Sequence, residues 1–254
     1  MRFNLLGPLQ VILSPGQLLR IPRPRARQLL AVLLLTGGRP VSADYLADAV
    51  WGEDAAGARL GNLRTHVYLL RRHPAVAERL RREDGGYLLD VRPGELDLAE
   101  FRALASGGQQ ALDAGDLHAG EELLRRATAL WRQPELRDVP TTQAVMAEMA
   151  KLSGERLRAT EQLVDAVLGQ GRHRELVPEL EASVCVNPLN ERAWEQLILA
   201  LYGSGRRAEA IQAYNGARTM LVAEYGIDPG PRLRHLFHQV LRDDPALASA
   251  ATAG

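Results

Sequence analysis

Three neighbouring segments decide the fold: VSADYLADAVWG (residues 41–52), LGNLRTHVYLLRRH (60–73) and GGYLLDV (85–91). In the first segment, apolar residues recur at helical spacing behind Ser42, a residue type that caps helix N-termini. In the second segment, a single apolar stripe follows the helical period and predicts a helix with one buried side. The third segment completes the turn Asp84-Gly85-Gly86, which is typical of a β-hairpin. Two short helices followed by a hairpin predict a winged helix-turn-helix.

The second predicted helix combines its apolar stripe with an arginine-rich outer face. The stripe consists of Leu60, Leu63, Val67 and Leu70. Steps of about 100° per residue place four candidates for contacts with base edges on the opposite face, namely Thr65, Tyr68, Leu69 and Arg72. The candidates for phosphate contacts flank the stripe and are Arg64, His66 and Arg71. A short helix of this shape and charge fits the DNA major groove, so we interpret it as a recognition helix.

The predicted hairpin is also basic. It carries Arg81 and Arg82, with Arg79 just before them, and we expect this wing to contact the DNA backbone or the minor groove. The alternative interpretation is a solvated hairpin without a DNA contact. Trp51 is expected to fill the space between the two helices rather than to contact DNA.

An apolar helix is predicted ahead of these segments, within PRPRARQLLAVLLLTGG (22–38), after short strands in residues 2–13 and around LLRI (18–21). Its basic approach contains Arg20, Arg23, Arg25 and Arg27. Because Pro22 and Pro24 favour extended backbone, we expect these guanidinium groups to project into solvent. Arg25 and Arg27 are therefore candidates for phosphate contacts, and the alternative is a solvated charged edge.

Charge is divided unevenly along the 254 residues. Residues 1–95 contain 14 arginines and nine acidic residues, whereas the remainder carries 17 basic and 22 acidic residues. This division suggests that the N-terminal part binds a polyanion and the C-terminal part does not. Cys185 is the one cysteine, which excludes a disulfide framework within one chain. The chain has neither a signal-peptide pattern nor an apolar run long enough to span a membrane, so a cytoplasmic protein is expected.

Pro93-Gly94 is the predicted domain boundary, with a winged-helix domain in residues 1–93 and an all-α domain in residues 94–254. Helical periodicity predicts helices over 97–113, 116–131, 141–169, 173–186, 190–203, 207–224 and 230–242. Gly171-Arg172 recurs as Gly205-Arg206 after 34 residues, the period of tetratricopeptide repeats. The predicted fold class is therefore mainly α, with an N-terminal winged helix-turn-helix and a tetratricopeptide-like domain.

Catalytic patterns are missing from the sequence. We find no dinucleotide-binding, P-loop, zinc-protease or nucleophile-elbow motif. His235 and His238 have a spacing that a metal could use, but without further ligands a surface pair is the better interpretation. The prediction is a protein that is not an enzyme and has no cofactor and no metal.

Over nearly its whole length the chain resembles the SARP family of bacterial transcriptional activators. The matching landmarks, in the family's order, are RFNLLGPLQV, ARQLLAVLLL, VSADYLADAVWG, LRTHVYLLRR, GGYLL, LWRQPEL, LGQGRHRELVPEL, ALYGSGRRAEAIQAY and YGIDPGPRLRHLFHQVLRDDP. The resemblance implies an OmpR-type winged helix joined to a bacterial transcriptional activation domain. It is similar to the short type, without an appended ATPase module.

The same resemblance implies what the chain does. It implies an activator of a specialised-metabolite gene cluster, often an antibiotic cluster, that binds direct repeats near the −35 element as a head-to-tail dimer. It also implies recruitment of RNA polymerase through the sigma factor and core subunits. Two departures stand out. Leu69 occupies a position where relatives commonly have arginine, and Ser153-Gly154 predicts a kink in a long helix.

A second hypothesis belongs to a different class. In it, the helical repeats form a protein-interaction scaffold, and the winged helix serves protein contacts. A related alternative is a metabolite-sensing regulator. The confinement of the arginine excess to the N-terminal part favours the DNA-binding activator, because a scaffold does not need it.

Overall fold

The computed structural model describes residues 1–52, 59–132, 139–244 and 247. The predicted loop before the recognition helix, the end of the LWRQPEL landmark and the final proline of the last landmark lie outside these residues. The protein is mainly helical with small N-terminal sheets, which confirms the predicted fold class. It forms two compact units, Met1–Ser106 with Arg126–Leu157 and Gly107–Arg125 with Arg158–Gly254. The domain boundary at residues 93 and 94 stays a prediction.

The first unit begins with a three-stranded antiparallel sheet. The strands β1 (Arg2–Asn4), β2 (Gln10–Ile12) and β3 (Leu18–Leu19) lie in this order, and Phe3 pairs with Val11. The turns fall at the predicted glycine-proline and proline-glycine sites. Asp97, the first residue of α5 (Asp97–Asp113), anchors the chain after β1, because its buried carboxylate accepts hydrogen bonds from backbone N–H groups there.

The helix-turn-helix follows the sheet. Helix α1 (Pro24–Leu35) begins with proline at its first position, and most of its residues are buried. A short strand β4 (Val41–Ser42) leads into α2 (Ala43–Trp51), and α3 (Arg59–Arg71) is the predicted recognition helix. Ser42 accepts a hydrogen bond from the Tyr45 backbone N–H at 3.2 Å, so its predicted role as an N-cap is confirmed.

The wing follows after a short helix α4 (Pro74–Ala77). It consists of β5 (Leu80–Glu83) and β6 (Gly86–Leu89), and β4 pairs with β6 to complete a sheet in the order β4-β6-β5. Asp84 and Gly85 have φ values of 33° and 77°, the positive values that a type I′ hairpin turn requires. A Cβ at Gly86 would lie 1.9 Å from the Val41 carbonyl oxygen, so only glycine lets β4 approach this closely. The predicted hairpin is present, whereas β4 and α4 were not predicted.

The predicted helices of the C-terminal part are α6 (Leu117–Ala129), α7 (Gln143–Gly169), α8 (His173–Val186), α9 (Glu191–Gly203), α10 (Arg207–Tyr225) and α11 (Pro231–Arg242). The sequence repeat appears as a repeated structure in the second unit. Gly171 and Gly205 have φ values of 75° and 79° before α8 and α10. The arginine after each glycine forms an ion pair with a glutamate three residues on, at 2.8 Å in the first copy and 2.6 Å in the second.

Helix α7 runs without a break through Ser153 and Gly154, in agreement with the predicted helix over 141–169, and the kink at this site stays a prediction. Glycine inside a helix costs about 1 kcal/mol relative to alanine, which is too little to interrupt a long helix held by packing and ion pairs. Buried Leu152 lies just before this site. Glu155 lies just after it and forms a bidentate ion pair with Arg102 at 2.8 and 2.9 Å.

Candidate nucleic-acid interface

Helix α3 buries one side and exposes the other, close to the predicted pattern. Leu63, Val67 and Leu70 are almost completely buried, and Tyr68 on the opposite side is 67% exposed. Leu60 is 42% exposed, so its assignment to the buried stripe is wrong. It lies in the first turn of α3, beside a small cavity next to the wing, where its side chain is covered only in part.

The exposed face of α3 centres on Tyr68 and carries Arg64, Thr65, Arg71 and Arg72. The Thr65 hydroxyl donates to the Gly61 carbonyl at 3.1 Å, so its oxygen still has a lone pair for an outside donor. Among the described residues, no carboxylate lies within ion-pair distance of Arg64 or Arg72. Their guanidinium groups are therefore available to a polyanion.

Leu69 lies at the edge of this exposed face. It is half-buried and lines a cavity of about 290 Å³ together with Ile21, Pro22 and Ala26. The segment that leads into α1 thus lies across the cavity from Leu69, which helical periodicity alone does not reveal. Leu69 therefore lies at the partly exposed edge of the outward face beside Arg72, and its contact with DNA stays a prediction.

Two predicted phosphate ligands already have partners inside the first unit. Arg71 donates from Nε and Nη2 to the Leu80 carbonyl at 3.1 and 2.8 Å, which ties α3 to β5. The Nδ1 atom of His66 lies 2.8 Å from the Asn62 carbonyl, and the His66 ring meets Trp51 edge-on with centroids 5.3 Å apart. The Trp51–His66 contact agrees with the predicted structural role of Trp51.

The three arginines of the wing differ in their exposure to solvent. Arg82 is exposed and lines a cavity of about 180 Å³ together with Arg64 of α3 and Asp44 of α2, so the wing and the recognition helix present cations side by side. The Arg81 side chain is 60% exposed and lies 3.5 Å from Asp90. Arg79 is buried, and it pairs with Glu95 at 2.9 Å. It therefore belongs to the structural base of the wing, contrary to the expectation that it faces DNA.

Arg25 and Arg27 do not project into solvent, so that prediction is wrong for both. Arg25 donates to the Gln28 side chain at 2.8 Å and to the Val50 carbonyl at the end of α2. Arg27 donates to the Leu9 carbonyl at 2.9 Å, and burial lowers its pKa from the usual value. The Val50 carbonyl is among the last of helix α2, which lack partners within the helix and therefore accept hydrogen bonds from donors such as a guanidinium group. Arg20 and Arg23 are exposed as expected.

Residue-level reasoning from the sequence missed two sets of side chains. Asn62 is exposed in the first half of α3, where helix-turn-helix proteins commonly contact bases, and an asparagine side chain can recognise adenine. Gln28 and Thr142 donate to the Ala49 carbonyl at 3.0 and 2.5 Å and so complete the cap of α2. Asn62 could have been identified from the sequence, because it lies in the first half of the predicted recognition helix. Nothing in the local sequence could have identified Gln28 or Thr142.

Comparison with known proteins identifies the family. The bacterial transcriptional activator domain family matches residues 96–241. Together with the winged helix, this match shows that the chain belongs to the SARP family of transcriptional regulators. The chain is 36% identical to the regulatory protein DnrI of Streptomyces peucetius, over 97% of this chain and 94% of that protein.

Longer relatives contain the same region. The chain is 43% identical over its whole length to the regulatory protein AfsR of Streptomyces coelicolor, but it spans only 26% of that protein. A solved structure of Mycobacterium tuberculosis EmbR, in complex with a low-affinity phosphopeptide, is 33% identical with a TM-score of 0.90. That likeness covers 99% of this chain and 68% of the EmbR chain.

Metal-binding clusters and membrane-spanning helices are both absent from the part of the chain that the structure describes. Within it, His, Cys, Asp and Glu side chains nowhere gather in threes at a geometry that would hold a metal ion. Among the described helices, none combines the length and the apolar character that crossing a membrane requires.

Proposed function

We propose that this chain is a sequence-specific DNA-binding activator of transcription that controls a specialised-metabolite gene cluster. The observation that carries the proposal is the exposed face of α3, where Tyr68, Arg64 and Arg72 lie beside Arg82 of the wing. Tyr68, Thr65 and Arg72 read base edges in the major groove, while Arg64 and Arg82 bind phosphates. Arg71 and His66 act mainly by fixing the position of α3.

Two protomers bind adjacent direct repeats near the −35 element as a head-to-tail dimer, and contact between them makes occupancy cooperative. The part of the sequence after residue 95 is acidic, with 22 acidic residues against 17 basic ones. This charge suits contacts with basic surfaces of the sigma factor and core subunits of RNA polymerase. The SARP family membership supports both parts of this proposal.

Footprinting of the purified protein on promoters of neighbouring genes, at two salt concentrations, tests the proposal. Protection of two direct repeats one or two helical turns apart, weakening steeply with salt, is the expected result. A folded protein that protects nothing at low salt would contradict the proposal and favour the protein-interaction scaffold.

Substitutions then test individual roles. Arg72→Ala should weaken the cognate duplex by about tenfold or more and a scrambled duplex much less, because a base contact is lost. Arg82→Ala should weaken both duplexes alike and reduce the salt dependence by about one counterion. Arg232→Ala is a matched control, since this exposed arginine lies on α11 of the second unit. Equal loss on both duplexes for Arg72→Ala would remove Arg72 from base recognition.

A further inference from the structure

The first unit contains a cleft of about 380 Å³ lined by α1, α2, α5 and α7, away from the exposed face of α3. Its floor is apolar and consists of side chains that are buried in the unit, including Val32, Leu35, Ala49 and Val145. Small-molecule sites are typically about 300–1,000 Å³ in volume and mostly apolar, with a few polar groups. The volume of the cleft lies in that range, and its lining combines apolar side chains with a comparable share of polar groups.

Three cations lie at the rim of this cleft, namely Arg39, Arg102 and Lys151, the one lysine of the chain. Glu148 is the one carboxylate among the residues that line the cleft, so the lining carries an excess of positive charge. A purely apolar ligand would leave these cations without a partner, whereas an anionic group on an apolar body would satisfy both the rim and the floor.

The cations retain donors for a ligand. Lys151 lies 2.6 Å from Glu148, but an ammonium group has three N–H donors. Arg102 engages Glu155 through Nε and Nη2, which leaves Nη1 unused by that pair. Arg39 donates from Nε to the Thr36 carbonyl at 3.1 Å, and its two terminal nitrogens remain. An acidic group at the rim can therefore bind without breaking these contacts.

We propose that this cleft is a binding site for a small organic anion that joins an apolar or aromatic body to one acidic group. The apolar body lies on Val32, Leu35 and Val145, and the acidic group binds Arg39 and Lys151. Tyr45 and Ala49 place helix α2 in the wall of the site, so a bound anion touches the helix that precedes the recognition helix. The site does not depend on the DNA contacts proposed above.

Binding of 1-anilinonaphthalene-8-sulfonate to the full-length chain, followed by its fluorescence, tests the site. This probe carries one acidic group on an aromatic body, and N-phenyl-1-naphthylamine is its neutral counterpart. We expect saturable binding of about one sulfonate probe per chain, with the neutral compound about tenfold weaker. The double variant with Arg39→Gln and Lys151→Gln should weaken the sulfonate probe by about tenfold or more. The control Arg126→Gln, at an exposed position on α6 that does not line the cleft, should leave binding unchanged.

A second variant fills the cleft without changing its charge. Ala144 is half-buried in the lining, and Ala144→Phe should abolish binding of the sulfonate probe. Thermal melting of each variant shows whether it is folded, and the double charge variant replaces only exposed side chains. Unchanged probe binding in the folded double variant would overturn the proposal, as would equal affinity for the charged and neutral compounds.

Discussion

Replacing Thr142 with valine tests how much a residue outside the helix-turn-helix stabilises that motif. The Thr142 hydroxyl donates to the Ala49 carbonyl at 2.5 Å and accepts from the backbone N–H of Val145 at 3.5 Å. Thr142 thus bonds to the end of α2 and caps the start of α7. Valine has almost the same shape but can make neither contact.

The expected loss follows mainly from these two contacts, and the Gln28 side chain also loses a longer hydrogen bond of 3.4 Å to the Thr142 hydroxyl. A neutral hydrogen bond contributes about 1 kcal/mol, and loss of a threonine N-cap costs about another 1 kcal/mol. Gln28 still donates to the Ala49 carbonyl at 3.0 Å, so that oxygen does not lose its last partner. We therefore expect Thr142→Val to lower the free energy of unfolding of the first unit by about 2 kcal/mol.

Urea unfolding of the full chain measures this loss, and Thr142→Ser is the matched control. Serine keeps the hydroxyl and removes one methyl group, so its expected loss is below about 1 kcal/mol. Hydrogen exchange in α2, followed by mass spectrometry, should become faster in the valine variant. Equal losses for valine and serine would refute the reasoning, because methyl packing rather than the hydroxyl would then be responsible.

Three further substitutions test titratable groups by urea unfolding. Burial lowers the pKa of His173, so the unfolded state binds more protons and stability should fall as the pH drops below about 6.5; His173→Leu should remove this dependence. Burial opposes ionisation of Glu121, yet hydrogen bonds from Arg125 and Arg172 lower its pKa to about 2. Glu121→Gln should thus lose about 2 kcal/mol at neutral pH, and the difference from wild type should shrink as the pH falls below 4.5. Asp97→Asn should lose about 3 kcal/mol, because its amide cannot accept all the backbone hydrogen bonds that the buried carboxylate accepts. Differences that do not vary with pH would contradict the first two assignments.

The recognition helix shows what local sequence can predict. The helical period alone identified Leu63, Val67 and Leu70 as buried and Tyr68 as exposed, since burial of a stripe is a property of the helix itself. It did not predict that Leu69 is half-buried in a cavity shared with a segment more than forty residues earlier in the chain. Periodicity contains no information about which neighbour covers the edge of a stripe.

The partners of the arginines also differ in whether the local sequence can predict them. The ion pair of Arg172 with Glu175 recurs as Arg206 with Glu209, because both partners lie within one turn and the sequence repeat preserves their spacing. Arg25 instead finds its acceptor at the end of α2, at Val50. The proline rule that predicted a solvent-exposed Arg25 describes only the backbone before α1. It cannot predict a carbonyl group supplied from elsewhere in the fold.

The hydrogen bonds that Asp97 and Thr142 make to the winged helix limit where a fragment that still folds can end. Asp97 holds the backbone after β1, and Thr142 caps α2, yet both residues lie in the region that matches the activator domain family, residues 96–241. A fragment cut at Pro93-Gly94 would lack both anchors and leave the backbone N–H groups of Leu5 and Leu6, just after β1, without their buried acceptor. Such unsatisfied groups cost about 1–3 kcal/mol each, a large part of the stability of a small domain. The winged helix therefore depends on the activator region for part of its own fold, and substitutions at Asp97 or Thr142 should alter DNA binding without touching DNA.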